Sequence, residues 1–190
     1  MYDYITIERS YACGGHAIAT ALAQKLGYKL YDHNVVVETC KRLDLPYNQV
    51  VNMDEHLPIK TPFRVPGDKY LSLEEKIFHT ETDIIREAAK EAGCIFIGRC
   101  ASAILRDKKC LKVFITASHT YRKDRAIQVE KIAPSEAESV MRQYDVRRSK
   151  YFTTYANAKW GSSDYFDMIL NSEALGTDVC ADVIAAAVKG

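Results

Sequence analysis

The chain has no excess of charge of either sign. Lys and Arg total 26 against 25 Asp and Glu, a formal net charge of +1 over 190 residues. That balance argues against a protein that binds nucleic acid mainly by bulk charge. No apolar run approaches the roughly 18 residues a membrane-spanning helix needs, so no membrane partner is expected. The opening residues, Met-Tyr-Asp-Tyr-Ile-Thr-Ile-Glu-Arg, lack a basic region followed by a long apolar stretch, so they do not read as a secretory signal. No period of roughly 20–50 residues appears, which argues against a repeat protein. The six cysteines, Cys13, Cys40, Cys94, Cys100, Cys110 and Cys180, include no C-x-x-C. Free thiols and a cytoplasmic setting are the expectation. The five histidines, His16, His33, His56, His79 and His119, are scattered. No Cys/His spacing suits zinc, and no residue is assigned as a metal ligand.

What is present describes an ordinary globular chain, 47% hydrophobic and 27% charged, expected to form one domain over residues 1–190. Tyr4 to Ile7 reads as a strand, followed by a small-residue loop from Ser10 to Gly15. His16 to Leu26 has helical spacing, and Gly27 stands where a C-cap glycine belongs. A strand at 28–31 and a helix from about His33 to Arg42 follow. Pro58, Pro62, Pro66 and Gly67 mark residues 54–68 as a functional or mobile loop. A helix is expected from about Lys69 to Ala92, ended by Gly93. Cys94–Ile97 and Leu111–Ala117 are apolar nearly throughout, as buried parallel strands are. Helices are read from about Ser118 to Lys131, and from Pro134 to Tyr155. The second opens on a Ser135/Glu138 capping box. A strand over Phe166–Leu170 and a helix from Thr177 to Lys189 complete the chain. The alternation predicts an α/β fold with a parallel sheet.

Strand, glycine loop and helix at the start form the most informative feature. Backbone N–H groups at a helix N-terminus converge on one point, where the dipole favours an anion. Gly14-Gly15 reads either as a phosphate cradle or as a tight βα turn. The usual phosphate loop is G-x-x-x-x-G-K-[ST]. Here Arg9 stands for the first glycine, Gly14 keeps the last, Gly15 takes the lysine position and His16 the hydroxyl position.

Other motifs follow in order. They are Ala23-Gln24-Lys25-Leu26-Gly27, Tyr31-Asp32, Ile97-Gly98-Arg99-Cys100-Ala101, and Val113 to Ser118 leading to Arg122. Later stand Asp145-Val146-Arg147-Arg148, Tyr151, Trp160-Gly161, Asp167 to Ser172 and Leu175-Gly176. This series resembles the cytidylate kinase-like family, a relative of the nucleoside monophosphate kinases, over nearly the whole chain. Members commonly have a serine-glycine-glycine loop without the lysine, so Cys13-Gly14-Gly15 fits this branch better than it fits true cytidylate kinases. The resemblance implies a three-layer phosphate-loop NTPase fold: five parallel strands, the first central, with helices on both faces. It also implies a helical lid-like region about 132–160, ATP with Mg2+, and phosphoryl transfer to a nucleoside monophosphate or other small acceptor. A homo-oligomer is left open. Two rivals stand beside this reading. One is a nucleotide-binding regulatory protein without turnover. The other is a kinase for a non-nucleotide metabolite, favoured by the departures at Cys100 and Glu38.

Phosphoryl transfer needs positioning and positive charge more than covalent chemistry. Arg148 lies on the helical stripe of Ala137, Met141, Tyr144, Tyr151 and Tyr155, so it must snorkel out or meet an anion. It is read as a phosphate contact with Arg147 as its neighbour; the alternative is an ion pair with Asp145 or a surface position. Arg99 follows a strand end, where ligand crevices lie, and matches the acceptor-contacting arginine of cytidylate kinases. Arg122 and Arg125 read as donor-nucleotide arginines or as a solvated face. Ser10, Tyr11, Ala12, Cys13, Gly14, Gly15 and His16 form the candidate ATP loop. Asp32, at the end of the second strand, is the candidate for acceptor binding, and weakly for Mg2+ or general-base work. Arg9 is a candidate substitute for the missing lysine.

Overall fold

Both faces of the sheet are covered by helices, which explains why Cys94–Ile97 and Leu111–Ala117 are apolar nearly throughout. The computed structural model describes residues 2–53 and 71–189. In chain order these form β1 (Tyr4–Arg9), α1 (Gly15–Leu26), β2 (Lys29–Tyr31), α2 (His33–Leu43) and α3 (Tyr47–Met53). Then come α4 (Leu73–Ala88), β3 (Cys94–Ile97), α5 (Ala101–Ile104), β4 (Cys110–Thr116) and α6 (His119–Gln128). The last elements are α7 (Ala137–Ala156), β5 (Met168–Asn171) and α8 (Ser172–Lys189). The sheet is five-stranded in the order β2-β3-β1-β4-β5, with every pair parallel. The first strand is central, as the resemblance implied. Ile7 lies opposite Ile97 on one side and Val113 on the other.

One face of the sheet buries Ile5, Ile7, Ile97 and Ile115 against Ile18 and Leu22 of α1 and Ile184 and Val188 of α8. The other packs Tyr4 and Phe96 on Ile85 and Leu105, and Phe114 on Tyr151, Phe152 and Phe166. Glu8 is also buried, at 4% exposed. Its carboxylate accepts from the Trp160 indole at 3.5 Å, and that ring stands edge-on to Phe114. This gives Trp160-Gly161 a packing role at the sheet's C-terminal edge.

Several boundaries differ from the sequence reading. The expected helix from Lys69 to Ala92 is α4, which stops at Ala88. Its N-cap is Ser72, in a complete capping box with Glu75. The Ser135/Glu138 box does not form. α7 starts at Ala137 with no side-chain cap, because Glu138 turns to His119 at 2.8 Å and Lys123 at 3.6 Å. α3 and α5 were not anticipated; Val50 of α3 packs on Val36 and Ile77. β5 begins two residues late, since Phe166 is drawn into the aromatic cluster with Phe114 and Phe152. α8 breaks at Gly176 (φ 75°, ψ 167°), so its regular part starts where expected, after that glycine. The loop at 54–68 lies outside the described residues. No described helix is long and apolar enough to cross a membrane.

Candidate functional site

β1 delivers the chain at Arg9 into a loop that enters α1 at Gly15. Ala12 (φ 57°) and Gly14 (φ 84°) take left-handed backbone conformations there. Glycine adopts this freely, while alanine does so only where its surroundings hold it. The surroundings here are explicit. The Ser10 N–H donates to the Ile115 carbonyl at 3.0 Å, and the Ser172 hydroxyl donates to the Cys13 carbonyl at 2.6 Å. The Cys13 thiol turns inward to the Ile115 carbonyl, and burial pushes its pKa up. Only the backbone of Cys13 serves the loop's outer side.

Three arginines from α6 and α7 grip backbone carbonyls of this region. Arg122 donates to the Tyr11 carbonyl at 3.2 Å, Arg125 to Ala12 at 3.2 Å and Arg148 to Arg9 at 3.4 Å. Asp145 completes the clasp, accepting from Arg122 and from the Tyr11 N–H, both at 2.7 Å. The Tyr11 ring stacks on Tyr144 at 4.6 Å. Arg148 lies 5.6 Å from the Tyr144 ring and Arg147 lies over it at 4.4 Å. Gly14 sits beneath the Arg125 guanidinium. The first helical ladder bond runs from the Ile18 N–H to the Gly14 carbonyl, which leaves first-turn N–H groups without helical partners. They open on a cleft of about 280 Å³ lined by residues 9–17 with Arg125, Val129, Glu130 and Arg148.

A second group lies beside the first turn of α1. His16 Nδ1 is 2.8 Å from Asp32 Oδ2, and Arg99 Nη1 is 3.4 Å from Asp32 Oδ1. Arg99 also donates to Glu81 at 3.3 Å and to the Ile97 carbonyl at 3.2 Å. It is 6% exposed and Glu81 fully buried. Gly98, Arg99 and Cys100 all have positive φ (68°, 53° and 52°), a strained corner that turns the Arg99 side chain inward. Burial raises the Asp32 carboxyl, but Arg9, Arg99 and the His16 hydrogen bond outweigh it and hold the pKa below its ordinary value. Asp32 is therefore ionised at neutral pH.

The candidate residues thus fall into two adjoining groups: the loop with Arg122, Arg125, Arg147 and Arg148, and His16 with Asp32 and Arg99. His16 bridges them. Glu38 is elsewhere, paired with Arg42 at 3.1 Å. Sequence reading missed Glu81, Ser172 and the role of Asp145. Glu81 left a trace, since it falls on the apolar stripe of Ile77, Ile84 and Ile85. No group of three or more His, Cys, Asp or Glu suited to a metal exists among the described residues.

A parallel sheet with β1 central, opening through a glycine loop into α1, defines a phosphate-loop NTPase fold of the kinase type. More narrowly, the chain belongs to the cytidylate kinase-like family, whose model matches residues 4–174. The crystal structure of an uncharacterized protein from Eubacterium ventriosum is similar, with TM-score 0.75 and 24% identity over 98% of each chain. Shikimate kinase from Bacteroides thetaiotaomicron aligns over 100% of each chain at 10% identity and TM-score 0.61. Shikimate kinase from Acinetobacter baumannii, solved with shikimate, aligns over 100% of this chain and 94% of its own at 12% identity and TM-score 0.59. No curated protein matches the chain.

Proposed function

We propose that this protein is an ATP-dependent phosphotransferase acting on a small acceptor, with nucleoside monophosphates the first class to test. The observation that carries the reading is the loop clasp. Arg122, Arg125 and Arg148 occupy the carbonyl side of residues 9–12, while first-turn N–H groups border the cleft. A phosphate chain fits such a cradle, since donors, helix dipole and guanidinium charge all favour an anion.

ATP with Mg2+ supplies the phosphoryl group. Loop N–H groups and Gly14-Gly15 hold the phosphates, with Arg125 and Arg148 offsetting their charge. Arg9 takes the part of the absent lysine. Mg2+ arriving with ATP would be held mainly by phosphate oxygens, with Asp32 the carboxylate that would approach it, since Mg2+ is commonly bound through one or two carboxylates plus phosphates. Ionised Asp32 is also the group to accept a proton from an acceptor hydroxyl, with His16 fixing its orientation. Arg99, buried between Asp32 and Glu81, acts by holding Asp32 rather than by leaving that position for the acceptor.

A non-nucleotide acceptor is favoured by one observation. Cys100 takes the place of an aspartate in the family resemblance, and it is 1% exposed with its thiol directed at the Tyr151 carbonyl. It offers no carboxylate to a base. The test is ADP formation from Mg-ATP across CMP, dCMP, UMP, AMP, GMP and shikimate, beside Arg148→Ala. Acceptor-dependent ADP, reduced at least a hundredfold in Arg148→Ala, supports the proposal. Nucleotide binding with no turnover on any acceptor replaces it with a binding protein.

A further inference from the structure

A second cavity, of about 260 Å³, lies on the flank between α4, α5 and the C-terminal part of α7. It is lined by Phe78, His79, Thr82, Arg86, Cys100, Ala103, Ile104, Arg106 and Tyr155. Among the described residues it shares no lining residue with the phosphate-loop cleft. We propose that this cavity is a separate binding site for a small organic anion, one with a carboxylate or phosphate head and an apolar body.

Charge is the first argument. Arg86 lines the cavity from α4 and Arg106 from the turn that follows α5, and both are exposed. Among the described residues neither has an ion-pair partner, and none of those lining the cavity is a carboxylate. By contrast Arg42, Arg99 and Arg122 are each ion-paired. Two unpaired guanidiniums at one mouth suit the planar or tetrahedral oxygens of a single anionic head.

The walls supply the second argument. Phe78 and Tyr155 stack at 3.7 Å with 17° between their planes, and Ala103 and Ile104 add aliphatic surface to the lining. A few polar groups placed on an apolar lining is the usual composition of a small-molecule site.

Thr82 supplies the third. Helical threonines commonly return their hydroxyl to the carbonyl four residues back. Thr20 does so at 3.0 Å and Thr39 at 2.9 Å. Thr82 does not. It is 8% exposed, and its hydroxyl has no hydrogen-bond partner among the described residues. Threonine has two accessible rotamers in a helix. A turn of the side chain breaks no existing hydrogen bond of that hydroxyl, and Thr82 stands in the cavity wall. Buried polar groups are otherwise nearly always satisfied, so an unsatisfied one in a cavity wall calls for a partner.

The site does not rest on the phosphotransferase reading, and its test needs no turnover. Phenyl phosphate and benzoate are titrated separately into the full chain while methyl and amide NMR signals are followed. The expected result is saturable shifts at Thr82, Ala103 and Ile104 with at least one probe. Whichever binds more tightly identifies the head group. Binding should weaken at least tenfold in the double variant Arg86→Ala/Arg106→Ala, whose substituted side chains are exposed. The isosteric Thr82→Val should weaken it about threefold or more. Benzyl alcohol, the neutral analogue, should bind at least tenfold less well. The proposal is overturned by no saturable shift with either probe, by shifts confined to residues 10–17, by undiminished binding in the arginine double variant, or by equal affinity for benzyl alcohol.

Discussion

The Arg9 side chain lies across Gly15 so closely that a Cβ on that glycine would stand 2.9 Å from the Arg9 Cβ and 3.1 Å from its Cγ. This contact explains why position 15 carries no side chain. A lysine there would begin inside the volume that Arg9 occupies, so the usual loop lysine and this arginine exclude each other.

Gly15→Lys should therefore fail to create a conventional phosphate loop. Overpacking of this kind costs about 1–3 kcal/mol. Both Gly15→Ala and Gly15→Lys should lower the melting temperature and weaken binding of a fluorescent ATP analogue. Arg9→Gly combined with Gly15→Lys should be less destabilised than the sum of the single changes, as residues in contact are. Additive melting shifts in that cycle would refute the mutual exclusion.

Asp145 ties α7 to the loop through the Tyr11 N–H and Arg122. Asp145→Ala removes both bonds and leaves Arg122, only 13% exposed, without its carboxylate. Hydrogen bonds to charged groups contribute about 1.5–3 kcal/mol, and a loss in that range is expected by urea denaturation. Asp145→Asn keeps the acceptor for Tyr11 and should lose less.

Glu81→Ala should be among the most damaging single changes in α4. It removes a fully buried carboxylate from a buried arginine, and breaking such a pair typically costs about 3–5 kcal/mol. Glu81→Gln retains the shape and an acceptor, so its denaturation midpoint should fall between those of the wild type and Glu81→Ala.

Asp32 predicts an acid-dependent loss of stability. Its folded-state pKa lies below the ordinary 3.8. Such a carboxyl contributes stability above the unfolded pKa and loses it as pH falls through the folded one. The stability difference between wild type and Asp32→Asn should thus be flat from about pH 5 to 7 and shrink below about pH 4. Equilibrium denaturation at a series of pH values measures it. A difference that grows on acidification would reverse the assigned sign.

Much of this architecture is legible in the sequence. The apolar runs of β3 and β4, the helical spacing after Gly15 and the glycine at 27 each report local backbone preference and burial, so they identified the strands, helices and loop in order. Arg148 stood out for the same reason, as a charge on an apolar helical stripe. Local pattern did not decide which of two identical signals would act. Ser135-x-x-Glu138 is the capping box read from the sequence, but the box that forms is Ser72-x-x-Glu75, of the same spacing and not singled out there. Glu138 has His119 and Lys123 as competing partners from a neighbouring helix, and their proximity is a property of the packed fold.

The site divides along the same line. Sequence by itself determined that a glycine loop would join the first strand to a helix, and that basic residues would stand near loop and helix ends. Tertiary structure alone decided what those residues hold: Arg122 and Arg125 on loop carbonyls, Asp145 on Tyr11, Ser172 on Cys13, and Glu81 behind Arg99. A side chain's propensity is written within a few residues of it. Its hydrogen-bond partner, here as far as 159 positions along the chain, is chosen by which elements the parallel sheet brings side by side.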